Sequence, residues 1–384
     1  MLYYIIIQIK VFNNLLSLLA KLKTMFQTEE QRAASWKLLA AQSAERQHAN
    51  ELKQLTINHR TKNFEKNEKT THTIIGDEKA NPKIWNGAFV FFGDEYLNEF
   101  HRKYWNVCNS TEKPQHYTEA QYHGEDDHKG CIYVDLDFHR NLNEDGSVPA
   151  RNWNYELVQK ITNCYAFHLK NICKFNDEQV INMYVTYRND PYKKIDHELA
   201  KDGIHIVMDV LLPRVLQLKL RELVMDEIGK SIIDQLELIN KIEEIWDRGL
   251  SLGTTNTQLF LSNKPHYKPY TYRGCWSAMY EEQDDTMFVR RPKYMDLNFD
   301  IFQKMSVRFM DNKKKFRYHE EYSQMVALSQ VDITQHVLKR KMREHRAETV
   351  ALKKQRIADG EDEDDDDEEI PYSSSSSSSE QSND

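Results

Sequence analysis

The stretch CIYVDLDF, residues 131–138, decides the fold that this sequence predicts. It is an apolar run typical of a buried strand, and because side chains alternate along a strand, Asp135 and Asp137 share one face. Two carboxylates about 7 Å apart on one strand suit divalent cations, which prefer oxygen ligands. The alternative is an exposed pair at a strand edge, since D-x-D occurs often by chance. The apolar neighbours favour the metal interpretation, because burying two carboxylates without cations is costly.

Strand-like and helical runs alternate through the region 133–280. The further strand-like runs are VINMYVTY (180–187) and GIHIVMDV (203–210), and the helical runs span 153–175 and 213–246. This alternation predicts one α/β or α+β domain.

The residues before this region are more varied. Residues 27–62 lack Gly and Pro and contain many helix formers, which predicts a peripheral helix. Between Thr71 and Trp105, short apolar runs such as GAFVFFG are interpreted as strands or buried segments. Residues 1–24 are apolar, but polar residues interrupt them. We therefore interpret them as a doubtful extension, and a membrane-spanning segment is not favoured.

The composition excludes several protein classes. Of 384 residues, 40% are hydrophobic and 11% aromatic, so the chain can bury a sizeable core and is not wholly disordered. The five cysteines never form C-x-x-C, so neither a disulfide framework nor a Cys-rich zinc site is expected. An intracellular, reducing compartment fits best, with nucleus and cytoplasm equally compatible.

The charge is divided unevenly along the chain. The whole chain carries −8, but residues 359–384 contain twelve acidic residues and no Lys or Arg, so residues 1–358 carry +4. Residues 308–356 hold thirteen Lys and Arg against six acidic residues, partly in a helical pattern. We expect this basic segment to contact a nucleic-acid backbone. The alternative is a solvated helix, or one that pairs with another subunit. The candidate contacts are Lys339, Arg340, Lys341 and Arg343.

Two further motifs follow the acidic pair. The first, KDGIHIVMDV at residues 201–210, places His205 in an apolar strand, where a core histidine is the alternative interpretation. The second begins at Asp247, after a long helical stretch, and continues to Ser262-Asn263-Lys264. Taken alone, Asp247 could be a helix-end or turn residue.

In this order, the motifs resemble those of the archaeo-eukaryotic primase superfamily over about residues 90–285. The resemblance is to the viral branch, the N-terminal domains of poxvirus, asfarvirus and mimivirus-type primase-helicases, and in motif order to the primase-polymerases. It implies an α+β fold, with an RNA-recognition-like, mainly antiparallel sheet and a flanking αβ module. The residue patterns described above add helical N- and C-terminal extensions. The matching residues are Asp135 and Asp137 for the first motif, Lys201, Gly203 and His205 for the second, Asp247 for the third, and Ser262 and Lys264 for the S-x-K segment.

The resemblance has departures. Viral relatives often read Y-G-S-x-K where this chain reads Phe260-Leu261-Ser262-Asn263-Lys264, so the glycine is missing. The usual helicase half is absent. The one G-K-S, at residues 229–231, lacks the upstream glycine of an NTP-binding loop and lies in a helical pattern.

The function implied by the resemblance is primer synthesis on single-stranded DNA by two-metal nucleotidyl transfer. Asp135, Asp137 and Asp247 would be the catalytic residues and would hold two Mg²⁺ or Mn²⁺ ions, and no zinc is expected. Nucleotide contacts, for NTP or dNTP, would come from Lys201, Gly203, His205, Ser262 and Lys264. A separate helicase subunit is a further candidate partner.

Two alternatives remain open at this point. One is a primase-like fold without catalysis that serves as a nucleic-acid-binding or assembly module. The other is a metal-dependent nuclease, which also uses clustered acids. The predicted organisation is an extension at 1–24, a helical segment at 25–70, a primase-like domain at 71–305, a basic helical segment at 306–358 and a disordered tail at 359–384.

Overall fold

The computed structural model describes residues 29–61, 70–78, 80, 83–91, 93–111, 113–121, 129–177, 179–195, 197–293 and 295–329, and the structural statements below concern these residues. The chain divides into two compact units, residues 1–326 and 327–384, and the site lies within the first. The helices are α1 (Glu29–Asn58), α2 (Gly93–Ser110), α3 (Tyr155–Ile172), α4 (Arg214–Val224), α5 (Lys230–Leu236), α6 (Ile242–Ile245), α7 (Arg248–Leu252), α8 (Phe299–Lys304) and α9 (320–329). The strands are β1 (His72–Ile74), β2 (Gly87–Phe89), β3 (Tyr117–Glu119), β4 (Lys129–Asn141), β5 (Cys173–Lys174), β6 (Val180–Tyr187), β7 (Tyr192–Lys193), β8 (Leu199–Pro213), β9 (Thr257–Gln258), β10 (Thr271–Glu281), β11 (Thr286–Lys293), β12 (Lys314–Lys315) and β13 (Arg317–Tyr318).

A seven-stranded sheet forms the centre of the fold. Its main order is β11-β10-β6-β8-β12, with β4 and β7 also paired to β8. All of these pairings are antiparallel except that between β12 and β8. The two long strands β4 and β8 pair along almost their whole length, which brings the two motif-bearing strands side by side.

Alternation sorts the side chains of this sheet onto two faces. One face is mainly apolar and contacts the helices; it includes Leu136, Val185 and Ile206. Helix α3 covers it with a buried stripe at four-residue spacing, and its first turn is capped by Asn154, whose side chain accepts a hydrogen bond from the Glu156 N–H. The opposite face carries the polar motif residues and faces the second sheet.

The second sheet has four short strands in the order β2-β1-β3-β9 and belongs to a flanking module with α1 and α2. Its apolar side chains form a second core cluster with residues of β4, β8 and α8. The α+β class, with a large, mainly antiparallel sheet and a flanking αβ module, is therefore confirmed.

Some local expectations differ from the structure. The expectation of strands or buried segments between Thr71 and Trp105 did not include a helix, and α2 occupies residues 93–110. Its buried residues Leu97, Phe100, Tyr104 and Val107 follow helical spacing, which outweighs the strand preference of the aromatic residues. Residues 229–231 lie in continuous helix, at the junction of a π-helical turn and α5, as the sequence indicates.

The basic segment is strand as well as helix where it is described. Residues 314–315 and 317–318 form β12 and β13, and α9 follows. The predicted extension at 1–24, the acidic tail and the basic residues Lys339, Arg340, Lys341 and Arg343 lie outside the described residues. Among the described helices, none is long and apolar enough to cross a bilayer.

Candidate active-site cleft

A cleft with a cavity volume of about 110 Å³ lies between the two sheets. The large sheet contributes residues of β4 and β8, and the small sheet contributes residues of β3 and β9. Six predicted site residues contribute to its walls: Asp135, Asp137, Lys201, His205, Asp247 and Lys264. The cleft therefore collects residues that are far apart in the sequence.

The register between β4 and β8 sets the geometry of the acidic pair. Asp135 lies directly opposite His205, and Asp137 lies opposite Gly203. The Asp135 Oδ1 atom is 3.2 Å from His205 Nε2. Because directly opposed side chains in an antiparallel pair lie within about 5 Å of each other, a one-residue slip would remove this contact.

His205 is held on two sides. Its Nδ1 atom lies 2.8 Å from the hydroxyl of Tyr133, and its ring stacks on Tyr270 with ring centroids 3.6 Å apart. Its side chain is only 9% exposed. The ring is thus oriented so that Nε2 points at Asp135.

The charges of the acidic pair are unequal. Burial raises the pKa of Asp135, but the interactions with His205, Lys201 and Lys264 outweigh burial and lower that pKa to about 2. Burial and the neighbouring charge of Asp135 raise the pKa of Asp137, against the opposing effect of Lys201. The Lys201 ammonium donates a 2.6 Å hydrogen bond to Asp137 Oδ2, and this partner raises the pKa of Lys201 despite burial.

Gly203 is required by close packing. A Cβ atom at this position would lie 2.5 Å from the Leu136 carbonyl oxygen and 3.5 Å from Asp137 Oδ1. Any larger residue would therefore push β8 away from the acidic strand. The motif glycine positions the carboxylates and offers no side chain to a ligand.

Asp247 is brought to the acidic strand by backbone pairing. An isolated bridge joins Leu136 to Trp246, and the Asp247 N–H donates to the Asp135 carbonyl at 3.3 Å. The buried Arg221 guanidinium donates twice to the Trp246 carbonyl, at 3.0 and 2.8 Å. The Asp247 carboxylate also caps α7, accepting from the Gly249 N–H at 2.7 Å. It therefore has a structural role beside its position on the cleft wall.

The S-x-K segment separates into two parts. The exposed Lys264 reaches the cleft, but Ser262 does not line it and is 1% exposed. The Ser262 hydroxyl accepts from the Tyr117 N–H at 2.9 Å and lies 2.8 Å from the Tyr104 hydroxyl. Ser262 anchors the loop that presents Lys264.

The missing glycine has a structural consequence. Leu261 occupies the position of the glycine found in the resembling sequences, and its φ of 70° lies in the left-handed region. This conformation costs a non-glycine residue about 1–2 kcal/mol. The loop keeps the backbone conformation that glycine would favour, although the side chain differs.

Sequence reasoning missed Arg188 and Tyr270. Arg188 is 5% exposed and lines the cleft, with its guanidinium 4.3 Å above the Tyr270 ring and 4.5 Å from that of Tyr192. It follows β6 on the same alternation as Thr186, which faces His205. The signal available in the sequence was an arginine two positions after Thr186, the strand residue that is paired with His205.

The acidic pair fits divalent cations. The Oδ1 atoms of Asp135 and Asp137 are buried, and neither accepts a hydrogen bond, although Asp135 Oδ1 lies 3.2 Å from His205 Nε2. Buried carboxylate oxygens without donors are costly, and oxygen ligands of this kind are what Mg²⁺ and Mn²⁺ prefer. Asp247 can supply a further carboxylate. With Lys201, Lys264 and Arg188 on the walls, the cleft can also hold an anionic group beside the cations.

Comparison with known families matches most of the cleft residues to one family model. The family model described as the C962R protein N-terminal AEP domain, where AEP denotes archaeo-eukaryotic primase, matches residues 85–276. This range covers half of the chain and includes every predicted site residue from Asp135 to Lys264. No curated protein matches the chain.

Proposed function

The chain belongs to the archaeo-eukaryotic primase superfamily, and on this premise we propose that it synthesises primers on single-stranded DNA by nucleotidyl transfer. Membership supports a primase-type nucleotidyltransferase at the level of the superfamily. The observation that carries the finer proposal is the convergence of Asp135, Asp137, Asp247 and His205 on one cleft. Positively charged side chains of the kind that bind a triphosphate line the same cleft.

Asp135, Asp137 and Asp247 are the proposed ligands of two Mg²⁺ or Mn²⁺ ions. The unpartnered Oδ1 atoms of the acidic pair support this assignment. When bound, such ions activate the attacking 3′-hydroxyl and stabilise the leaving pyrophosphate.

The basic side chains of the cleft are proposed to hold the nucleotide. His205 is oriented by Tyr133 and Tyr270, so its ring would contact the triphosphate without having to reorganise. Lys201 and Lys264 approach the same space, and their charges would offset the negative charge that develops on the phosphates.

Arg188 extends this proposal beyond the motif residues. Its guanidinium is fixed by Tyr270, by Tyr192 and by a 2.8 Å hydrogen bond to the Lys268 carbonyl. A guanidinium fixed in this way is suited to a phosphate, because little side-chain entropy is lost on binding. A DNA template and NTP or dNTP substrates are the partners that this function implies. The separate helicase subunit stays a prediction from the resemblance alone.

One observation favours the second candidate, a DNA-binding module without catalysis. Leu261 replaces a glycine in the loop that presents Lys264, and its side chain limits how closely that loop can approach a ligand. A nuclease is the third candidate, because clustered carboxylates also serve hydrolysis.

The test is primer synthesis on single-stranded DNA with labelled nucleotides and Mg²⁺ or Mn²⁺. Wild type is compared with D135N/D137N and with the matched control D226N/D234N, which removes two exposed carboxylates of the α4–α5 region. Short products from wild type and control, reduced at least about 10³-fold in D135N/D137N, are expected, because metal binding provides several kcal/mol of transition-state stabilisation.

Each other outcome has a defined meaning. DNA binding without products in all three proteins would replace the proposal with the non-catalytic module. Shortening of labelled DNA that depends on Asp135 and Asp137, without new synthesis, would replace it with a nuclease. Equal synthesis by wild type and D135N/D137N would remove the acidic pair from the mechanism.

A further inference from the structure

A second histidine–carboxylate cluster lies away from the cleft, inside the flanking module. His72 on β1, His101 on α2 and Glu119 on β3 are 0%, 0% and 1% exposed. His72 and Glu119 are direct cross-strand partners. Their neighbours Thr73 and Thr118 are hydrogen-bonded to each other, and Thr118 lines the cleft. By alternation, the cluster lies on the opposite face of the small sheet, against α2.

Three side chains converge on one carboxylate oxygen. Glu119 Oε1 is 3.3 Å from His72 Nε2, 3.5 Å from His101 Nε2 and 2.6 Å from the Ser306 hydroxyl, which donates to it. Neither Nε2 atom has a hydrogen-bond partner. Two fully buried imidazoles thus aim unpartnered nitrogens at the same anionic atom.

The Thr71 side chain holds the other nitrogen of His72, Nδ1. The Thr71 hydroxyl donates to the Phe89 carbonyl at 3.2 Å and accepts from the Phe91 N–H at 2.8 Å. The His72 Nδ1 atom lies 3.0 Å from the same hydroxyl, and this contact orients the ring.

The Nε2 atom of His72 faces Glu119 Oε1 at 3.3 Å, and no hydrogen bond joins the two atoms. A buried nitrogen and a buried carboxylate oxygen that approach each other without a hydrogen bond are costly in a water-free interior. A cation bound to both would satisfy them.

We propose that His72, His101 and Glu119 bind one zinc-type transition-metal ion. Zinc binds imidazole nitrogen and carboxylate oxygen at about 2.0–2.2 Å, which in a tetrahedral site places neighbouring ligand atoms roughly 3.3 Å apart. The distances of 3.3 and 3.5 Å from Glu119 Oε1 match that spacing. Imidazole ligands favour zinc over Mg²⁺, which prefers oxygen.

The surroundings of the ligands support a structural metal site. His72 Nδ1 is oriented by Thr71, and the Val307 N–H donates to Glu119 Oε2 at 3.1 Å, beside the Ser306 contact to Oε1. Such outer hydrogen bonds fix the orientation of metal ligands. The ion would join β1, β3 and α2 to the segment after α8, with one position left for a water or the Ser306 hydroxyl.

This site departs from the sequence-based expectation of no zinc. That expectation rests on the absence of closely spaced Cys and His motifs. Here the ligands come from three separate elements, so no local sequence pattern indicates them. A second group, Cys164, His168 and Glu227, also has ligand-type atoms close together. Its His168 Nε2 atom lies 2.8 Å from a Glu227 carboxylate oxygen, and Glu227 is half-exposed, so this group serves as the control.

The first measurement is the metal content of the full chain purified without chelator, by mass spectrometry. The variants compared are H72N/H101N, the matched control H168N and the cleft variant D135N/D137N. About one zinc per chain is expected in wild type, H168N and D135N/D137N, and none in H72N/H101N. Removing the ion from wild type with a chelator should lower Tm by several degrees, and Zn²⁺ should restore it.

The second measurement keeps the inference open to test if H72N/H101N fails to fold. Wild type is loaded with Co²⁺, whose visible absorption reports both tetrahedral geometry and thiolate ligands. A tetrahedral spectrum without a thiolate band supports the site. A thiolate band, zinc retained by H72N/H101N, or wild type that holds no zinc and gains no stability from Zn²⁺, would overturn it.

Discussion

The cleft and the flanking module each contain a histidine and a carboxylate opposed across an antiparallel pair, Asp135 with His205 and Glu119 with His72. The two pairs differ in their access to solvent. The Asp135 side chain is 22% exposed at the cleft, whereas Glu119 and His72 are sealed in the module. A reacting site needs an open position for substrate, and a structural site needs none. The same two residue types therefore support different roles because of where the sheets place them.

Their surroundings differ in a second way. The cleft pair lies beside a second carboxylate and several positively charged side chains. A bound ligand would balance the charges of these groups. The buried cluster has a second histidine and two backbone or hydroxyl donors on one carboxylate. We expect variants in the buried cluster to change stability, and variants in the cleft to change activity.

The largest expected effect is the stability loss from Glu119→Ala. It leaves the Ser306 hydroxyl and the Val307 N–H buried without acceptors, and it should lower the free energy of unfolding by about 3–5 kcal/mol. Chemical denaturation measures this. Glu119→Gln keeps an acceptor oxygen and should cost less. Equal unfolding free energies of wild type and Glu119→Ala would contradict the expectation that the buried cluster, unlike the cleft, contributes mainly to stability.

The next effect concerns the glycine between the cleft strands. Gly203→Ala places a Cβ atom 2.5 Å from the Leu136 carbonyl, so β4 and β8 must separate locally. Because a displacement of about 1 Å can cost 10²-fold in rate, we expect roughly that loss of primer synthesis, with a destabilisation of about 1–3 kcal/mol. Steady-state synthesis and denaturation are measured on the same preparation. Full activity of Gly203→Ala would show that primer synthesis does not need the close approach of β4 and β8 at this position.

A smaller effect should follow from the stacking partner of His205. Tyr270→Leu removes the ring that stacks on His205 and contacts Arg188, and an aromatic contact of this kind contributes about 0.5–1.5 kcal/mol. We expect the KM for nucleotide to rise up to about tenfold. Tyr270→Phe keeps the ring and should lose less. The control Tyr280→Leu, on β10, which begins directly after Tyr270, lies outside the cleft and should leave KM unchanged.

The smallest effect concerns the loop that presents Lys264. Leu261→Gly relieves the left-handed backbone but loses partly buried apolar surface, so the net change in unfolding free energy should stay within about 1 kcal/mol. Leu261→Ala keeps the backbone strain and loses the same packing. It should therefore be less stable than Leu261→Gly by about 1 kcal/mol. The reverse order would show that the loop is not strained at this residue.

The sequence predicted much of this architecture. Period-two alternation identified β4, β6 and β8, and the order of the motifs predicted the superfamily that the family model supports. Helix α2 was missed because its aromatic residues favour strands one at a time, while the helical spacing of its buried face is visible only over several turns. The roles assigned to the site residues stay predictions.

What the sequence determined by itself was local: which residues share a face of a strand, and which segments can form helix. That follows from backbone geometry, which acts over a few residues. Only the tertiary structure decided that Asp247 reaches Asp135, that Ser262 faces the interior while Lys264 faces the cleft, and that His72, His101 and Glu119 meet. These contacts join distant segments, and they form because the two sheets bury their apolar faces together and bring the attached polar groups with them.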